Sequence, residues 1–194
     1  MERYVFMINK YVFSSISQKI FKYLLLNSGK PCYEREIARG SGVSYGSANR
    51  VLNDLHKKGL VARKTEGNMK YYTMDSSNPY MQEFKILTNM LFLEPIIEKL
   101  KTHTHKIILF GSFSKGEDTQ ESDIDLFILT TEEAAVRALI NKYSYSPKVA
   151  NRKIQVIIET PADMMKKADE DKVFMEQVNK GKILWERELN EDNL

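Results

Sequence analysis

The 194-residue chain holds one cysteine and three histidines. A lone Cys32 forms no intrachain disulfide, and with so few imidazoles there is little from which to build a zinc site. It reads as a small buried side chain. Long apolar runs are missing too: none approaches the roughly 20 residues that cross a bilayer. The start MERYVFMINK lacks a basic leader followed by an apolar stretch and a cleavage site. No membrane partner is expected, and the expected location is the cytoplasm. Hydrophobic content of 42% and charged content of 28% are ordinary for a globular protein and exclude a fibrous or disordered class.

Length leaves one large domain or two small ones open, and the charge pattern favours two. The segment Ser76-Ser77-Asn78-Pro79 interrupts the pattern of the chain. Residues 1 to 79 carry 13 Lys and Arg against 6 Asp and Glu, net +7, whereas residues 80 to 194 carry 16 against 20, net −4. A basic half beside an acidic half points to a polyanion-binding module attached to something else.

In the basic half, Ile16, Ile20, Phe21, Leu24 and Leu25 recur at helical spacing and predict a first helix with one buried face. Asn27, Ser28 and Gly29 stop it, and Pro31 cannot continue it. A second short helix is expected over residues 33 to 39, with Ile37 and Ala38 inward. After a turn over residues 40 to 43, Ser44 reads as the N-cap of a third helix reaching about Lys58, with Ala48, Val51, Leu52 and Leu55 as its apolar stripe. Two strand-like runs, residues 60 to 63 and 69 to 74, then flank a turn with Gly67-Asn68 at its tip. This order of elements, with the phrase HKKGLVARKTEGNMKYYTM, resembles the winged helix-turn-helix of bacterial and archaeal transcription regulators over about residues 14 to 76. A helix that reads bases needs hydrogen-bonding side chains on its exposed face and cations at its flanks. Ser44, Tyr45, Ser47, Asn49 and Arg50 are the candidates near the helix start, Asn49 for adenine and Arg50 for guanine or phosphate. Lys57, Lys58, Arg63, Lys64 and Lys70 would meet the DNA backbone.

In the acidic half, residues 80 to 101 read as a long connecting helix, with Met81, Phe84, Leu87, Leu91 and Phe92 near one face and Pro95 as a kink or restart. That stripe either packs within the chain or forms the seam of a homodimer, which symmetric operators favour. The segment FGSFSKGEDTQESDIDLFIL then reads as strand, Gly-Ser turn, short helix, polar loop, strand. Asp123 and Asp125 stand one residue apart and so project from one face. Two like charges there call for a cation, and hard carboxylate oxygens suit Mg²⁺. Gly111 and Ser112 offer backbone amides and a hydroxyl to a phosphate, and Lys115 and Ser114 are further candidates for it. Glu117, Asp118 and Glu121 read as surface acids. Gly-Ser followed by Asp-x-Asp at this spacing resembles the signature of minimal nucleotidyltransferases of the DNA polymerase β-like superfamily, over about residues 100 to 186. The resemblance implies Asp123 and Asp125 as catalytic metal ligands, with Mg²⁺ and a nucleoside triphosphate, ATP foremost, as cofactors. It also implies a third carboxylate from a later strand, needed for two-metal chemistry. The strand over residues 153 to 159 holds Gln155 at that position. Glu159 lies four residues further on, roughly 13 Å along a strand and too far to replace it.

The expected fold class is α+β: a winged helix-turn-helix domain over residues 1 to 79, a connecting helix over 80 to 101, a small mixed-sheet nucleotidyltransferase-like domain over 102 to 187, and a tail over 188 to 194. The expected partners are double-stranded DNA, a nucleotide and a second copy of the chain. Two functions stay open. One is a DNA-binding transcription regulator whose second domain binds Mg²⁺-nucleotide and is degenerate in catalysis. The other is an active enzyme moving a nucleoside monophosphate to a hydroxyl of a nucleic acid or protein, which includes the antitoxin-like role implied by the resemblance.

Overall fold

The computed structural model describes residues 15–74, 78–119, 121–144, 152–164 and 171–187. The chain divides into two compact units, Met1–Leu91 and Phe92–Leu194.

The first unit opens with α1 (Ile16–Leu26), started by a capping box in which the Ser15 hydroxyl accepts from the Gln18 amide and the Gln18 side chain accepts from the Ser15 amide. Ile20, Leu24 and Leu25 are buried, but Ile16 lies beyond the buried face at 46% exposure. Cys32 and Tyr33 form a short strand, β1 (Cys32–Tyr33), pairing antiparallel with β3 (Met69–Thr73), Cys32 opposite Tyr72. This strand was not expected, and it delays the second helix: Tyr33 takes an extended N-cap conformation, so α2 runs over Glu34–Gly40. Cys32 is buried as expected, and burial pushes its thiol up to about 11. Ser44 caps α3 (Tyr45–Lys57) by accepting from the Ser47 amide at 3.3 Å. The hairpin of β2 (Ala62–Glu66) and β3 pairs as far as Glu66 opposite Met69. Thr65 and Glu66, expected in the turn, therefore belong to the ladder, and Gly67 at φ +58° with Asn68 makes the reversal alone. Ile20, Leu24, Ile37, Ala48, Leu52, Val61 and Tyr72 join one core, and the three-stranded sheet has the order β1-β3-β2. Three helices and a hairpin in this order make a winged helix-turn-helix.

The helix α4 (Pro79–Leu100) runs through Pro95 without a restart. Of the expected stripe Leu91 is buried and Met81, Leu87 and Phe92 are half-buried. Phe84 is 45% exposed, although its ring meets Phe21 edge-on at 6.1 Å, while Ile86, Leu91, Leu93, Ile96, Ile97 and Leu100 are buried. The two compact units divide this helix between Leu91 and Phe92, so no single apolar stripe describes it.

The second unit is built on a four-stranded sheet of order β6-β5-β4-β7, formed by β4 (Lys106–Phe110), β5 (Ile124–Leu129), β6 (Ile154–Glu159) and β7 (Lys182–Glu186). The near-continuous apolar runs IILF and DLFIL mark β4 and β5 as central strands buried on both faces. They pair antiparallel from Lys106 opposite Leu129 to Phe110 opposite Asp125. A parallel neighbour needs a crossover, and α6 (Glu133–Ser144) lies within the connection from β5 to β6. A five-residue helix, α5 (Gly111–Lys115), follows β4 directly, and α7 (Lys172–Asn179) precedes β7. Residues 161–164 are helical. Phe174 of α7 packs edge-on to Phe110 at 5.9 Å and beside Phe127 at 6.4 Å. Trp185 is half-buried, its indole N–H donating to the Thr104 carbonyl at 3.4 Å.

Gly181, between α7 and β7, has no room for a side chain: a Cβ there would lie 2.5 Å from the Leu109 carbonyl oxygen and 2.9 Å from that of Val178. Since backbone, not a flexible side chain, stands in the way, Gly181→Ala is expected to destabilise the protein by about 2 kcal/mol in urea unfolding. An unchanged midpoint would mean that β7 does not approach β4 this closely.

Candidate functional site

Strand β4 ends at Phe110, and the chain turns into α5 through Gly111 at φ +69°. Glycine is needed there twice. The conformation is left-handed, and a Cβ would lie 2.2 Å from Asp125 Oδ2 and 3.1 Å from its carboxyl carbon. The Asp125 carboxylate thus rests against the Gly111 backbone, as the pairing of Phe110 with Asp125 requires. Asp123 stands just ahead of β5, two residues from Asp125. Burial first, and the charge of Asp123 second, raise the Asp125 carboxyl above its ordinary value.

On the other side of β5, the parallel register sets Gln155 opposite Asp125, and the Gln155 amide donates to Asp123 Oδ2. The neutral side chain therefore lies beside the acid pair. Glu159 pairs with Leu129 at the far end of the strand. Among the described residues no group of three or more His, Cys, Asp or Glu is arranged to hold a metal ion. Two crowded carboxylates whose charges repel still fit a hard divalent cation, which takes oxygen ligands and relieves that repulsion.

The remaining predicted groups divide. Ser112 is half-buried in the first turn of α5, and Lys115 is exposed at its end. Ser114 is buried and donates to the Gly111 carbonyl at 2.8 Å, so its hydroxyl supports the turn instead of facing a phosphate. Asp118 corrects the reading as a surface acid: its side chain is 0% exposed and pairs at 3.0 Å with Arg152, itself 8% exposed. The same Arg152 nitrogen donates to the Thr119 carbonyl at 2.7 Å, and the guanidinium stands 5.1 Å over the Phe113 ring. With the Ile124 amide donating to the Lys153 carbonyl at 2.8 Å, this pair ties the loop before Asp123 to the strand that carries Gln155. Its partners are 34 residues apart, and no local pattern announces them.

In the first unit, the start of α3 carries Ser44, Tyr45, Ser47, Asn49 and Arg50, and the hairpin carries Arg63, Lys64 and Lys70. Tyr45 and Arg50 are exposed. Ser44 and Ser47 are engaged in the cap, the Ser44 hydroxyl donating to that of Ser47 at 2.9 Å. Asn49 is half-buried and donates to Glu34 at 2.5 Å. Arg63 donates to Asn53 at 3.0 Å, and Lys64 pairs at 2.7 Å with the exposed Glu66, a contact worth little in water. The missed residue is Glu34, which no sequence pattern singled out and which is 2% exposed at the start of α2.

A three-helix unit with a hairpin wing, followed by a mixed sheet that presents an Asp-x-Asp pair against a Gly-Ser turn, defines a winged-helix regulator module joined to a nucleotidyltransferase domain. A family model described as "Polymerase beta, Nucleotidyltransferase" matches residues 94–190, half of the chain, and the protein belongs to that family. Residues 9–77 match a second model, "Sugar-specific transcriptional regulator TrmB". No curated protein sequence matches the chain. Among solved structures, Sso10a-2, a DNA-binding protein from Sulfolobus solfataricus, is 25% identical over 44% of this chain and 95% of its own, with a TM-score of 0.31. The S. aureus MepR–DNA complex is 14% identical over 52% and 86%, with a TM-score of 0.35. Human N-acetylserotonin methyltransferase in complex with SAM is 21% identical over 45% of this chain but 29% of its own, with a TM-score of 0.29. At such TM-scores these likenesses carry no argument.

The raised Asp125 carboxyl has a stability consequence. A carboxyl raised in the folded state costs stability once pH exceeds its folded value, and that cost disappears as pH falls below the unfolded value of 3.8. Asp125→Asn is therefore expected to raise the thermal midpoint at neutral pH without added cation, and to lose that advantage below the ordinary carboxylate range. A midpoint lower than wild type at neutral pH would contradict the repulsion assigned to this pair.

Proposed function

We propose that the protein is a DNA-binding transcription regulator whose nucleotidyltransferase domain binds a Mg²⁺-nucleoside triphosphate, ATP foremost, and is degenerate in nucleotidyl transfer. The observation that carries this reading is the Gln155 amide on Asp123, opposite Asp125 in the strand register. Asp123 and Asp125 would hold the cation, which when bound neutralises the charge of the triphosphate. Gly111 brings backbone close to the phosphates, Ser112 adds a hydroxyl, and the exposed Lys115 a cation. Binding is served by these groups. Transfer needs the attacking hydroxyl positioned and deprotonated, and an amide at Gln155 supplies neither the charge nor the basicity of a third carboxylate.

DNA binding rests on the basic character of the first unit and on where its polar groups fall. Arg50 on the exposed face of α3 and the cations of the hairpin suit contact with a duplex, the helix toward the major groove and the hairpin toward phosphates. A second copy of the chain is part of the proposal, since paired modules read symmetric sites.

Incubation with radiolabelled ATP, CTP, GTP and UTP plus Mg²⁺, with and without DNA, RNA and cell extract, tests the reading. We expect nucleotide retention with no label transferred. Asp123→Asn combined with Asp125→Asn should abolish Mg²⁺-dependent nucleotide binding and leave DNA affinity intact. Label transferred by wild type and lost in that double variant would establish an active enzyme in place of a degenerate one. For the other half, Arg50→Ala with Lys70→Ala is expected to weaken duplex binding and to reduce the slope of log affinity against log salt by about two; if neither changes, these residues do not face DNA.

A further inference from the structure

The buried Glu34 begins a chain of hydrogen bonds that no part of the proposed function uses. Its carboxylate accepts from the Tyr45 hydroxyl at 3.2 Å and from the Asn49 amide at 2.5 Å. The Asn49 carbonyl accepts from the Asn53 amide at 3.0 Å, and the Asn53 carbonyl accepts from Arg63 Nη1 at 3.0 Å. Three elements are joined: Glu34 opens α2, Asn49 and Asn53 lie one turn apart on α3, and Arg63 belongs to β2.

The order of these groups dictates their orientation. An ionised carboxylate only accepts, a guanidinium only donates, and each side-chain amide has one end of each kind. Two amides placed between an acceptor-only and a donor-only group satisfy all the bonds in one arrangement, with both NH₂ ends toward Glu34 and both carbonyls toward Arg63. The chain therefore has a direction, set at the buried end, and charge at both termini strengthens it. Tyr45 is held at the same carboxylate while 49% of it stays exposed, and Arg35 stands 5.7 Å over its ring.

We propose that Glu34 is a positioning residue of the DNA-facing surface: through Asn49 and Asn53 it holds Arg63 of the hairpin at a set place beside α3, and it holds Tyr45 at the helix start. The inference rests on the DNA-binding reading and refines it. Asn49 is committed to the relay instead of to adenine, and Arg50 is the long polar side chain of the helix start left for the duplex.

The sign of one substitution separates positioning from charge. Glu34→Gln removes a negative charge from a module that meets a polyanion, so electrostatics alone tightens DNA binding. Positioning predicts the reverse, because a neutral amide can flip and no longer imposes the direction of the chain. With the full-length protein and a randomised duplex DNA in a fluorescence anisotropy titration, we expect Glu34→Gln to weaken binding roughly fivefold, about the value of one net hydrogen bond. In the Arg63→Ala background the same change is expected to cost less, since only the hold on Tyr45 then remains to be lost. Asn53→Ala, at a half-buried position, repeats the cycle should Glu34→Gln unfold the protein, as monitored by circular dichroism. Binding by Glu34→Gln equal to or tighter than wild type, or an equal loss with and without Arg63, overturns the proposal. If wild type binds no duplex, the DNA-binding reading itself falls before any variant is compared, and the positioning role falls with it.

Discussion

The antiparallel pairing of β4 with β5 ends with Phe110 opposite Asp125, and the arrangement of the second unit's site follows from that pairing. It lays a carboxylate on the first residue of the turn, so that residue has to be glycine both for its backbone and for its missing side chain. It sets the acid pair at the edge of the turn that would receive phosphates. Because β6 joins β5 in parallel register, the residue opposite Asp125 is then determined as well, and in this chain it is Gln155. A slip of one residue in the first pairing would turn the carboxylates away from the Gly111 turn, and one in the second would turn Gln155 away from the carboxylates.

Electrostatics is handled differently in the two units. The second unit crowds Asp123 and Asp125, with Asp125 raised by burial and by its neighbour, and offers an amide on one side. Close by, the acid Asp118 is buried against Arg152 and serves geometry. The first unit buries Glu34 beneath a basic exterior and spends it on orienting amides. In both units a buried carboxylate holds a side chain from another element, Arg152 on Asp118 in one and Asn49 on Glu34 in the other.

Glycines and caps were readable residue by residue. Ser44 caps α3 and Gly67-Asn68 turns the hairpin as their chemistry predicts. Where the reading went astray, a distant partner had intervened. The strand Cys32–Tyr33 exists because Tyr71 and Tyr72 lie alongside it, and it moves the start of the next helix. The apolar stripe assigned to residues 80 to 101 was incomplete, with Phe84 exposed and Ile86, Leu93, Ile96, Ile97 and Leu100 buried outside it, because a helix divided between two compact units has no single buried side. Asp118 was expected at the surface and Ser114 at a phosphate, and both, like the unremarked Glu34, are buried by groups that periodicity does not reveal.

By itself, the sequence determined the two-module order, the strands Lys106–Phe110 and Ile124–Leu129, the pairing of a Gly-Ser turn with two aspartates, and the neutral residue at position 155. These depend on side-chain period, turn chemistry and spacing along one stretch of chain, all of which are local. Only the tertiary structure decided that Asp125 leans on Gly111, that Gln155 bonds Asp123, that Arg152 locks the loop between them, and that Glu34 reaches Arg63 through two asparagines. Apart from the Asn53–Asn49 bond within one helix, those contacts join residues separated by 10 to 34 positions, and a hydrogen bond or an ion pair between elements has no periodicity from which its partner can be read.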